Sequence, residues 1–453
     1  MADELLRVDE MCRLLRHEPR TAQDIMSALS ISQPTLSRTI RGASEVFTSF
    51  RVSGERTPKY GLLRQLPGGL NPRQTVYRVL TDGAIEPFAG VEFFSGGTTL
   101  EVSGHANTLY DGLPPYMAFV SPSGFLGREV ARTAALEMHF PESLRDWRDE
   151  HRIAYLFTRG LNLPGNLVYG DTSLQKEMEF RQLLPIPSEQ KTEQYDGMAN
   201  QLKDAAFGSS AGGEQPKFLA LTEDAGHVIV KFARRGSRMA DLLSLEQLAS
   251  QSLRVASVPA AESTIIASDD YVFLEVRRFD RVGRHGRIGM LSAGAVDDEY
   301  FGKRDTWSEF AARCEQARYL SENDASTIHV MAAFSELIGN GDRHFENISV
   351  LLDERGRFDR VAPAYDILPM RYASLGGGVD PDLLPITPKV GTIGARPFVW
   401  GRAIEAANAF WASVAQSDSP LISREFKALA LINLQVAQDF IAPLVPGGRN
   451  ANR

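Results

Sequence analysis

The first 66 residues combine three short segments of helical periodicity with two strand-like runs. In the second segment, Thr21 is suited to cap a helix because Asp24 stands at the third helical position. The third segment, 33–41, carries Leu36 and Ile40 on one face. Two apolar runs flanking a turn-rich loop follow it. The pattern therefore predicts a small helical module that ends in a β-hairpin.

The rest of the chain changes character twice. Residues 70–195 predict a mixed region, with strands at 75–80, 90–94 and 117–120. Further on, strands are predicted at 218–221, 227–232, 262–266 and 271–275, with a helix at 242–253. After about residue 305 the pattern is mostly helical. We therefore expect three domains, 1–66, 70–195 and 200–445, the last divided into parts at about 200–300 and 305–445.

Composition narrows the class of protein. With 453 residues, of which 43% are hydrophobic and 23% charged, the chain resembles a globular protein with sizeable cores. The most apolar segment, 428–445, is broken by polar residues and predicts a packed helix rather than a membrane span. The acidic first residues do not predict a secretory signal, and free thiols are favoured over a disulfide for Cys12 and Cys314. We expect a cytoplasmic protein without a membrane partner.

Charge is distributed unevenly along the chain. The net charge is −8, yet residues 11–66 contain nine Lys/Arg against four Asp/Glu, a net charge of +5. The remaining residues therefore carry −13. The overall balance argues against a protein that coats nucleic acid. A basic N-terminal module on an acidic body indicates that this module alone meets an anionic polymer.

The third predicted helix has the features of a recognition helix in a helix-turn-helix protein. Leu36 and Ile40 would anchor it, and its polar face could reach base edges and phosphates. The hairpin adds cations and resembles the wing of winged helix-turn-helix proteins. The candidate contacts to duplex DNA are Gln33, Thr35, Ser37, Arg38, Thr39, Arg41, Arg51, Arg56 and Lys59. A protein-interaction module with a solvated polar face is the alternative, and the local basic charge favours DNA.

A loop of small residues in the second half of the chain could approach phosphates closely. It begins with Ser209, Ser210, Ala211, Gly212 and Gly213 and leads to Lys217. It lacks the spacing of a Walker A motif, and alone it would be an ordinary turn. In the second following strand, Lys231 stands among apolar residues, where an ammonium group is costly unless it meets a charge. An edge strand with Lys231 in water is the alternative.

Two carboxylates and an amide complete a pattern for phosphoryl transfer. Asp342 and Asn347 are five residues apart, which is the spacing of the catalytic-loop Asp and Asn of protein kinases. In that chemistry the Asp accepts the proton of the substrate hydroxyl and the Asn ligates Mg²⁺. Asp366 follows a predicted hairpin, where its carboxylate also suits Mg²⁺. Each Asp alone could cap a turn, but the ordered set predicts transfer from ATP.

Together these segments resemble the HipA family of serine/threonine kinases, the toxins of bacterial toxin–antitoxin systems. The resemblance is clearest over about 205–370. Its motifs are Ser-Ala-Gly-Gly-Glu-Gln-Pro-Lys217, Val-Ile-Val-Lys231, Arg278-Phe-Asp-Arg281, Asn340-Gly-Asp-Arg-His-Phe-Glu-Asn347 and Ala364-Tyr-Asp366. It implies an α/β (α+β) fold with a two-lobed, protein-kinase-like body and a mostly helical C-terminal lobe. Here a small winged helix-turn-helix precedes that body.

The resemblance also implies roles for individual residues. Lys231 and the loop 210–213 would bind ATP, Asp342 would be the catalytic base, and Asn347 and Asp366 would hold Mg²⁺. Ser210 falls near the serine whose autophosphorylation switches such kinases off, with Ser209 as the adjacent alternative. Relatives act on aminoacyl-tRNA synthetases, but the sequence does not identify the protein substrate. An antitoxin and a second copy of the chain are further candidate partners.

Some features depart from the family or leave alternatives open. The helix-turn-helix is fused to the kinase rather than carried by an antitoxin, and Arg343 stands where many relatives have a small residue. Glu246 either pairs with Lys231 or is solvated, and residues 278–281 could form an internal ion-pair network. The leading interpretation is a toxin-type kinase that also binds DNA. The alternative is a DNA-binding regulator whose kinase-like body senses nucleotide without phosphorylating a target.

Overall fold

The computed structural model describes residues 2–104, 106–207, 215–374 and 379–445. The chain divides into two compact units, Met1–Ser123 with Gly127–Gln182, and Gly124–Leu126 with Leu183–Arg453. Cys12 and Cys314 are both free thiols, as predicted. None of the helices in the described ranges has the length and apolar character that a membrane span requires.

Residues 1–66, termed the head, contain three helices and a three-stranded antiparallel sheet of order β1-β3-β2. The elements are α1 (Ala2–Leu14), β1 (Arg20–Thr21), α2 (Ala22–Leu29), α3 (Gln33–Gly42), β2 (Phe47–Phe50) and β3 (Lys59–Leu62). Thr21 caps α2 as predicted, because its hydroxyl accepts the Asp24 amide and the Asp24 carboxylate accepts the Thr21 amide. Ile25, Leu36 and Phe47 share one buried core, so the predicted apolar faces converge.

Residues 70–182, termed the middle region, form a five-stranded antiparallel sheet of order β7-β6-β5-β4-β8 with helices around it. The elements are β4 (Arg73–Val79), β5 (Ile85–Phe93), β6 (Thr98–Val102), β7 (Asn107–Asp111), α4 (Pro115–Phe119), α5 (Gly124–Met138), α6 (Asp149–Arg159), β8 (Leu167–Tyr169) and α7 (Gly170–Phe180). The prediction of a strand at 117–120 is wrong. Proline at the first turn starts α4 there, and Met117 packs into the core beside the sheet.

The head packs directly on the middle region within the first unit. Phe50 of β2 stacks on Phe94 with ring centroids 5.1 Å apart. Gly61 makes room for this ring, because a Cβ at position 61 would lie 2.7 Å from Phe94. Backbone hydrogen bonds extend the contact, and the Arg64 amide donates to the Phe93 carbonyl at 2.8 Å. The head and the middle region therefore form one packed body.

The second unit opens with α8 (Lys191–Phe207) and a four-stranded antiparallel sheet of order β11-β12-β10-β9. The elements are β9 (Lys217–Thr222), β10 (Gly226–Arg234), α9 (Arg238–Val255), β11 (Ser263–Ala267) and β12 (Tyr271–Arg277). Successive residues of β10 face opposite sides of the sheet. Phe232 joins an aromatic cluster with Tyr195 of α8, whereas Ala233 packs with Leu243 of α9. Lys231 shares the face of Ala233.

A small sheet and a helical part complete the second unit. The elements are β13 (Arg281–Val282), β14 (Gly286–Arg287), β15 (Gly289–Ser292), α10 (Ala293–Tyr300), α11 (Trp307–Gln316), α12 (Glu322–Ile338), β16 (Ser349–Leu352), β17 (Phe358–Val361), α13 (Pro397–Ala415) and α14 (Arg424–Ile441). Strands β15, β16 and β17 form one antiparallel sheet. Trp400, Trp411 and Phe426 are fully buried among the last helices. The predicted change from strands to helices is confirmed, including the packed helix near residue 430.

Candidate active site

The predicted ATP-binding lysine is buried between two carboxylates. The ammonium group of Lys231 lies 2.6 Å from Oε1 of Glu246, which projects from α9. The same Nζ contacts Oδ1 of Asp366. Lys231 and Glu246 are only 5% and 4% exposed. The sequence left open whether Lys231 points into water and whether Glu246 is solvated. In the structure, Lys231 is buried and Glu246 pairs with it.

Burial and neighbouring charges act on Lys231 in opposite directions. Removal from water lowers the pKa of its ammonium group, and the carboxylate of Glu246 raises it. Lys217 lies directly opposite Lys231 in the β9–β10 register and lowers the pKa further. The net direction is downward. The buried ammonium therefore depends on its adjacent carboxylates to stay charged.

The loop that carries Asp342 begins where α12 ends. Gly339 closes that helix in the left-handed conformation, with φ of 76°, which favours glycine. The Asp342 amide donates to Oδ1 of Asn340 at 3.0 Å, and Nδ2 of Asn347 donates to the Asp342 carbonyl at 3.1 Å. The five-residue spacing is thus closed by a hydrogen bond. Asn347 is buried, while the Asp342 side chain is 46% exposed and accessible to a substrate.

Asp366 lies beyond β17 in a segment that hydrogen bonds hold to two other parts of the chain. The Ala364 amide donates to the Pro259 carbonyl at 2.8 Å, which joins the segment to the chain after α9. The Tyr365 hydroxyl donates to the Glu346 carbonyl at 2.7 Å, which joins it to the loop of Asp342. Asp366 itself has φ of 55°, a left-handed conformation that Asp tolerates better than most residues. The structure therefore brings Lys231, Asp342, Asn347 and Asp366 into one connected region.

A chain of three charged residues, which leads away from Asp342, was missed by the sequence analysis. Nε2 of His344 lies 3.6 Å from Oδ1 of Asp342, and its Nδ1 lies 3.4 Å from Oε2 of Glu346. Nη1 of Arg304 donates to Oε1 of Glu346 at 2.5 Å. His344 and Arg304 lower the pKa of Glu346 to about 2, and Glu346 raises the pKa of His344. The charged loop sequence could have indicated His344 and Glu346, but no sequence signal points to Arg304.

The donor set fits Mg²⁺ that is shared with nucleotide phosphates. Asn347 and Asp366 offer amide and carboxylate oxygens, the hard ligands that Mg²⁺ prefers. In the described ranges, no group of three or more His, Cys, Asp or Glu side chains could hold a metal by itself. Mg²⁺ is usually held by one or two carboxylates together with substrate phosphates, which matches this sparse set. The predicted loop residues Ser209, Ser210, Ala211, Gly212 and Gly213 lie outside the described residues.

One predicted ion-pair network is confirmed, and a further ion pair engages Arg343. Arg278 and Arg281 each donate to Oδ2 of buried Asp280 at 2.7 Å, so the predicted internal network is confirmed. Arg343, the unusual residue beside Asp342, pairs with Glu336 of α12 at 2.6 Å. This pairing holds its guanidinium group against the preceding helix.

The candidate DNA contacts of the head differ in whether their side chains already have hydrogen-bond or ion-pair partners within the protein. Arg38 and Arg41 are exposed on α3, and Arg51 and Arg56 are exposed around the hairpin. Among the described residues, no ion pair or side-chain hydrogen bond engages these four guanidinium groups. Polar residues nearby are partly engaged: Gln33 donates to Ser37 at 3.5 Å, Thr35 bonds Ser32 at 3.0 Å, and Lys59 pairs with Glu55 at 2.9 Å.

Thr39 is a correction to the predicted recognition face. It is 4% exposed, and its hydroxyl donates to the Thr35 carbonyl at 3.1 Å. A side chain satisfied in this way by its own helix cannot reach a base edge. The sequence pattern missed this because Thr39 lies beside Ile40 at the edge of the apolar face.

Two family models match the chain. The model described as YjjJ-like toxin, middle domain, matches residues 70–178, and the model described as HipA-like C-terminal domain matches residues 209–393. Toxin YjjJ of Escherichia coli (strain K12) is 33% identical over 436 residues, which cover 93% of this chain and 96% of that protein. The chain belongs to the HipA-like toxin family.

A solved structure supports the fold of this HipA-like toxin. HipA of the Shewanella oneidensis MR-1 toxin–antitoxin system, determined with HipB and its operator DNA, matches with a TM-score of 0.50 and 14% identity. The match covers 81% of this chain and 96% of that chain. The Helicobacter pylori proinflammatory kinase CtkA matches at a TM-score of 0.36 and 10% identity, over 49% of this chain and 90% of that chain, too low to carry an argument. The predicted α/β (α+β) fold is confirmed, and it is the fold of HipA.

Replacing Glu246 tests the buried cluster. Glu246→Gln leaves a neutral amide beside the Lys231 ammonium, and breaking a buried pair in this way costs about 3 kcal/mol. We expect the free energy of unfolding of the full chain to fall by about that amount in urea titrations. Glu262→Gln is the matched control, because Glu262 is exposed and pairs with Arg277 at the surface. Equal stability of the two variants would contradict the described role of Glu246.

Proposed function

We propose that this HipA-like toxin is an ATP-dependent serine/threonine-protein kinase that binds duplex DNA through its own head. The observation that carries the kinase proposal is the Lys231 ammonium, buried between Glu246 and Asp366. Burial of a lysine ammonium group opposes folding because the group loses its hydration, so buried lysines are uncommon and often have a functional role. A cation held next to a metal-ligand candidate is what binding of nucleotide phosphates requires.

Each residue of the site has a part in this chemistry. Bound Mg-ATP would supply the phosphoryl group that is transferred. Lys231 would bind phosphate oxygens, and Asn347 and Asp366 would hold Mg²⁺ through side-chain oxygens. Asp342 would accept the proton of the substrate hydroxyl at its half-exposed carboxylate. Asp366 would exchange part of its contact with Lys231 for the metal.

The loop of Asp342 is restrained in ways that favour a positioned base. The Asn347 amide holds the Asp342 carbonyl at 3.1 Å, and the Trp307 indole donates to the His344 carbonyl at 3.1 Å. Tyr365 ties the following turn to the segment of Asp366. A rigid loop lowers the cost of orienting the base at the moment of proton transfer. These contacts support a catalytic use of the site rather than nucleotide binding alone.

The unpaired arginines support the DNA-binding part of the proposal. Arg38 and Arg41 project from α3, and Arg51 and Arg56 lie in the loop between β2 and β3, so several exposed cations lie on one small module. Cations that meet no protein carboxylate are available to displace counterions from phosphates. The head would act as a winged helix-turn-helix with α3 as the recognition helix. The Shewanella HipA structure contains HipB and operator DNA, and we extend DNA and an antitoxin to this chain as proposed partners.

Asp342→Asn tests the kinase proposal. The variant should bind ATP normally but lose transfer by about 10²- to 10⁴-fold, because the proton acceptor is gone. Transfer is measured with labelled ATP and Mg²⁺, and Asp359→Asn, on the exposed part of β17, is the control. Asp366→Asn should in addition weaken Mg²⁺-dependent nucleotide binding. Full phosphorylation by Asp342→Asn would reject its role, and a wild-type chain without transfer would favour the non-phosphorylating regulator.

Ser210 tests self-inhibition. A phosphate there adds close to two negative charges, which nucleotide phosphates would repel. We expect the purified protein to carry phosphate on Ser210, or on Ser209 as the alternative, and to bind ATP poorly in that form. If Ser210 is the site, Ser210→Ala should stay unmodified and bind ATP; if Ser209 is the site, Ser209→Ala should do so instead. Phosphosite mapping that finds both serines bare after prolonged incubation of active protein with Mg-ATP would rule out the switch.

Arg38 and Arg41 test the DNA-binding proposal. Changing both to Ala should abolish specific binding to duplex DNA from upstream of the protein's own gene, with a loss of at least about tenfold. Kinase activity should be unchanged. Arg132→Ala in the middle region controls for the loss of a surface arginine, since Arg132 is exposed and pairs with Glu129. If the wild-type chain does not shift the mobility of the DNA, the alternative interpretation of the head as a protein-interaction module is favoured.

A further inference from the structure

A polar groove lies between α3 and the hairpin of the head. Its volume is about 400 Å³. It is lined by Ser37, Ile40, Arg41, Ser44, Phe47, Thr48, Ser49, Tyr60 and Arg73. Two of these residues are arginines, five carry hydroxyl groups, and none is acidic. Guanidinium and hydroxyl donors without a lining carboxylate are the chemistry of an anion site.

One of the two arginines comes from outside the head. Arg73 begins β4 of the middle region, and its Nη2 donates to the carbonyls of Ser44 at 3.0 Å and Phe47 at 3.3 Å. These carbonyls follow the C-terminus of α3, so Arg73 also holds the end of the recognition helix. These neutral carbonyls orient the guanidinium group, and the ion pair of its Nε with Glu92 offsets part of its charge. The adjacent carboxylate, Glu92, lies 3.6 Å from Nε and is outside the groove lining.

The other arginine, Arg41, has no side-chain partner among the described residues. It is exposed at the end of α3. A guanidinium group has five N–H donors, so Arg73 keeps donors beyond the two bonds that orient it. Two cations that line one groove repel each other unless an anion lies between them. The groove is therefore arranged for an anion that it does not obtain from its own lining residues.

We propose that this groove binds a backbone phosphodiester of duplex DNA, with Arg73 as a contact contributed by the middle region. The inference rests on the DNA-binding part of the proposed function. The groove adjoins the exposed face of α3, where Arg38 and Arg41 would meet the duplex. Hydroxyls of Ser and Thr commonly join arginines on phosphate oxygens. A free phosphate has the same chemistry, and the experiment separates the two sources.

The first experiment measures the salt dependence of DNA binding by the full chain. Fluorescence anisotropy with a mixed-sequence duplex is recorded for wild type, Arg73→Gln, Arg73→Lys and the surface control Arg132→Gln. Loss of one phosphate contact reduces the slope of log K against log salt by about 0.9. The affinity ratio of wild type to Arg73→Gln should therefore fall about threefold between about 50 and about 200 mM KCl. Arg73→Lys should keep most of the slope, and Arg132→Gln all of it.

The salt dependence distinguishes a direct contact of Arg73 with a DNA phosphate from a purely structural role of Arg73 at the end of α3. If Arg73 only held the end of α3, Arg73→Gln would lower affinity by the same factor at every salt concentration, which would overturn the proposal. Arg41→Gln gives a second reading, because its exposed side chain has no described partner whose loss could unfold the head. It should reduce the slope by a similar amount, about 0.9. An unchanged slope in both variants would also overturn the proposal, while wild-type binding would keep the DNA function intact.

A second measurement identifies the source of the anion. The thermal midpoint of each protein is followed during titration with inorganic phosphate in the absence of DNA. For a phosphodiester site we expect a small stabilisation in wild type that is lost in Arg73→Gln, together with the altered DNA slope. Stabilisation by phosphate that depends on Arg73 while the DNA slope stays unchanged would assign the groove to a free anion and overturn the proposal. No DNA binding by wild type at any salt would instead reject the proposed function of the head.

Discussion

The buried ammonium group of Lys231 is the constraint around which the second unit is arranged. A cation inside a protein must meet an anion, and here the anions come from two separate elements, Glu246 of α9 and Asp366 beyond β17. One atom thus joins the sheet, the helix behind it and the segment that follows the small sheet. The position of each element is coupled to the others through this charge. Folding alone therefore positions Asp366, the candidate metal ligand.

Arginines near the candidate active site differ from the exposed arginines of α3 in the head, and the contrast bears on the proposed function. Near the candidate active site the described arginines are matched, with Arg278 and Arg281 on Asp280 and Arg304 on Glu346. In the head, Arg38 and Arg41 have no such partner in the described ranges. Buried charges need internal compensation, whereas surface charges left uncompensated remain available to an external polyanion. The second pattern supports the proposed binding of DNA by the head.

Motifs with fixed spacing could be predicted from the sequence. The pair of Asp342 and Asn347 is local, so its spacing reports a geometry that the loop closes by itself with one hydrogen bond. The apolar faces of the head and the strand containing Lys231 were predictable for the same reason, because periodicity is a local property. The strand predicted at 117–120 failed because a short apolar run does not distinguish strand from helix, and proline at the start decided for α4.

Contacts between distant segments could not be predicted in this way. Arg304 reaches Glu346 from a turn after α10, and Arg73 reaches the head from the first strand of the middle region. Neither has a motif, since each acts through a tertiary contact that no periodicity records. Glu246 was an intermediate case, because its helix was predictable but the side of that helix that faces Lys231 was not. The roles assigned to Lys231, Asp342, Asn347 and Asp366 remain proposals, although the structure joins these residues in one region.

The hydroxyl of Tyr365 has a consequence for how the site opens. It donates to the Glu346 carbonyl at 2.7 Å and bonds the Ser349 hydroxyl at 2.8 Å, so it bridges the turn before β16 and the segment after β17. Local opening of a protein proceeds in cooperative units defined by such shared contacts. The loop of the proposed base and the segment of the proposed metal ligand should therefore fluctuate as a single unit. Protected amides on both segments would show one common free energy of opening in hydrogen exchange, and a partner that immobilises one segment would immobilise the other.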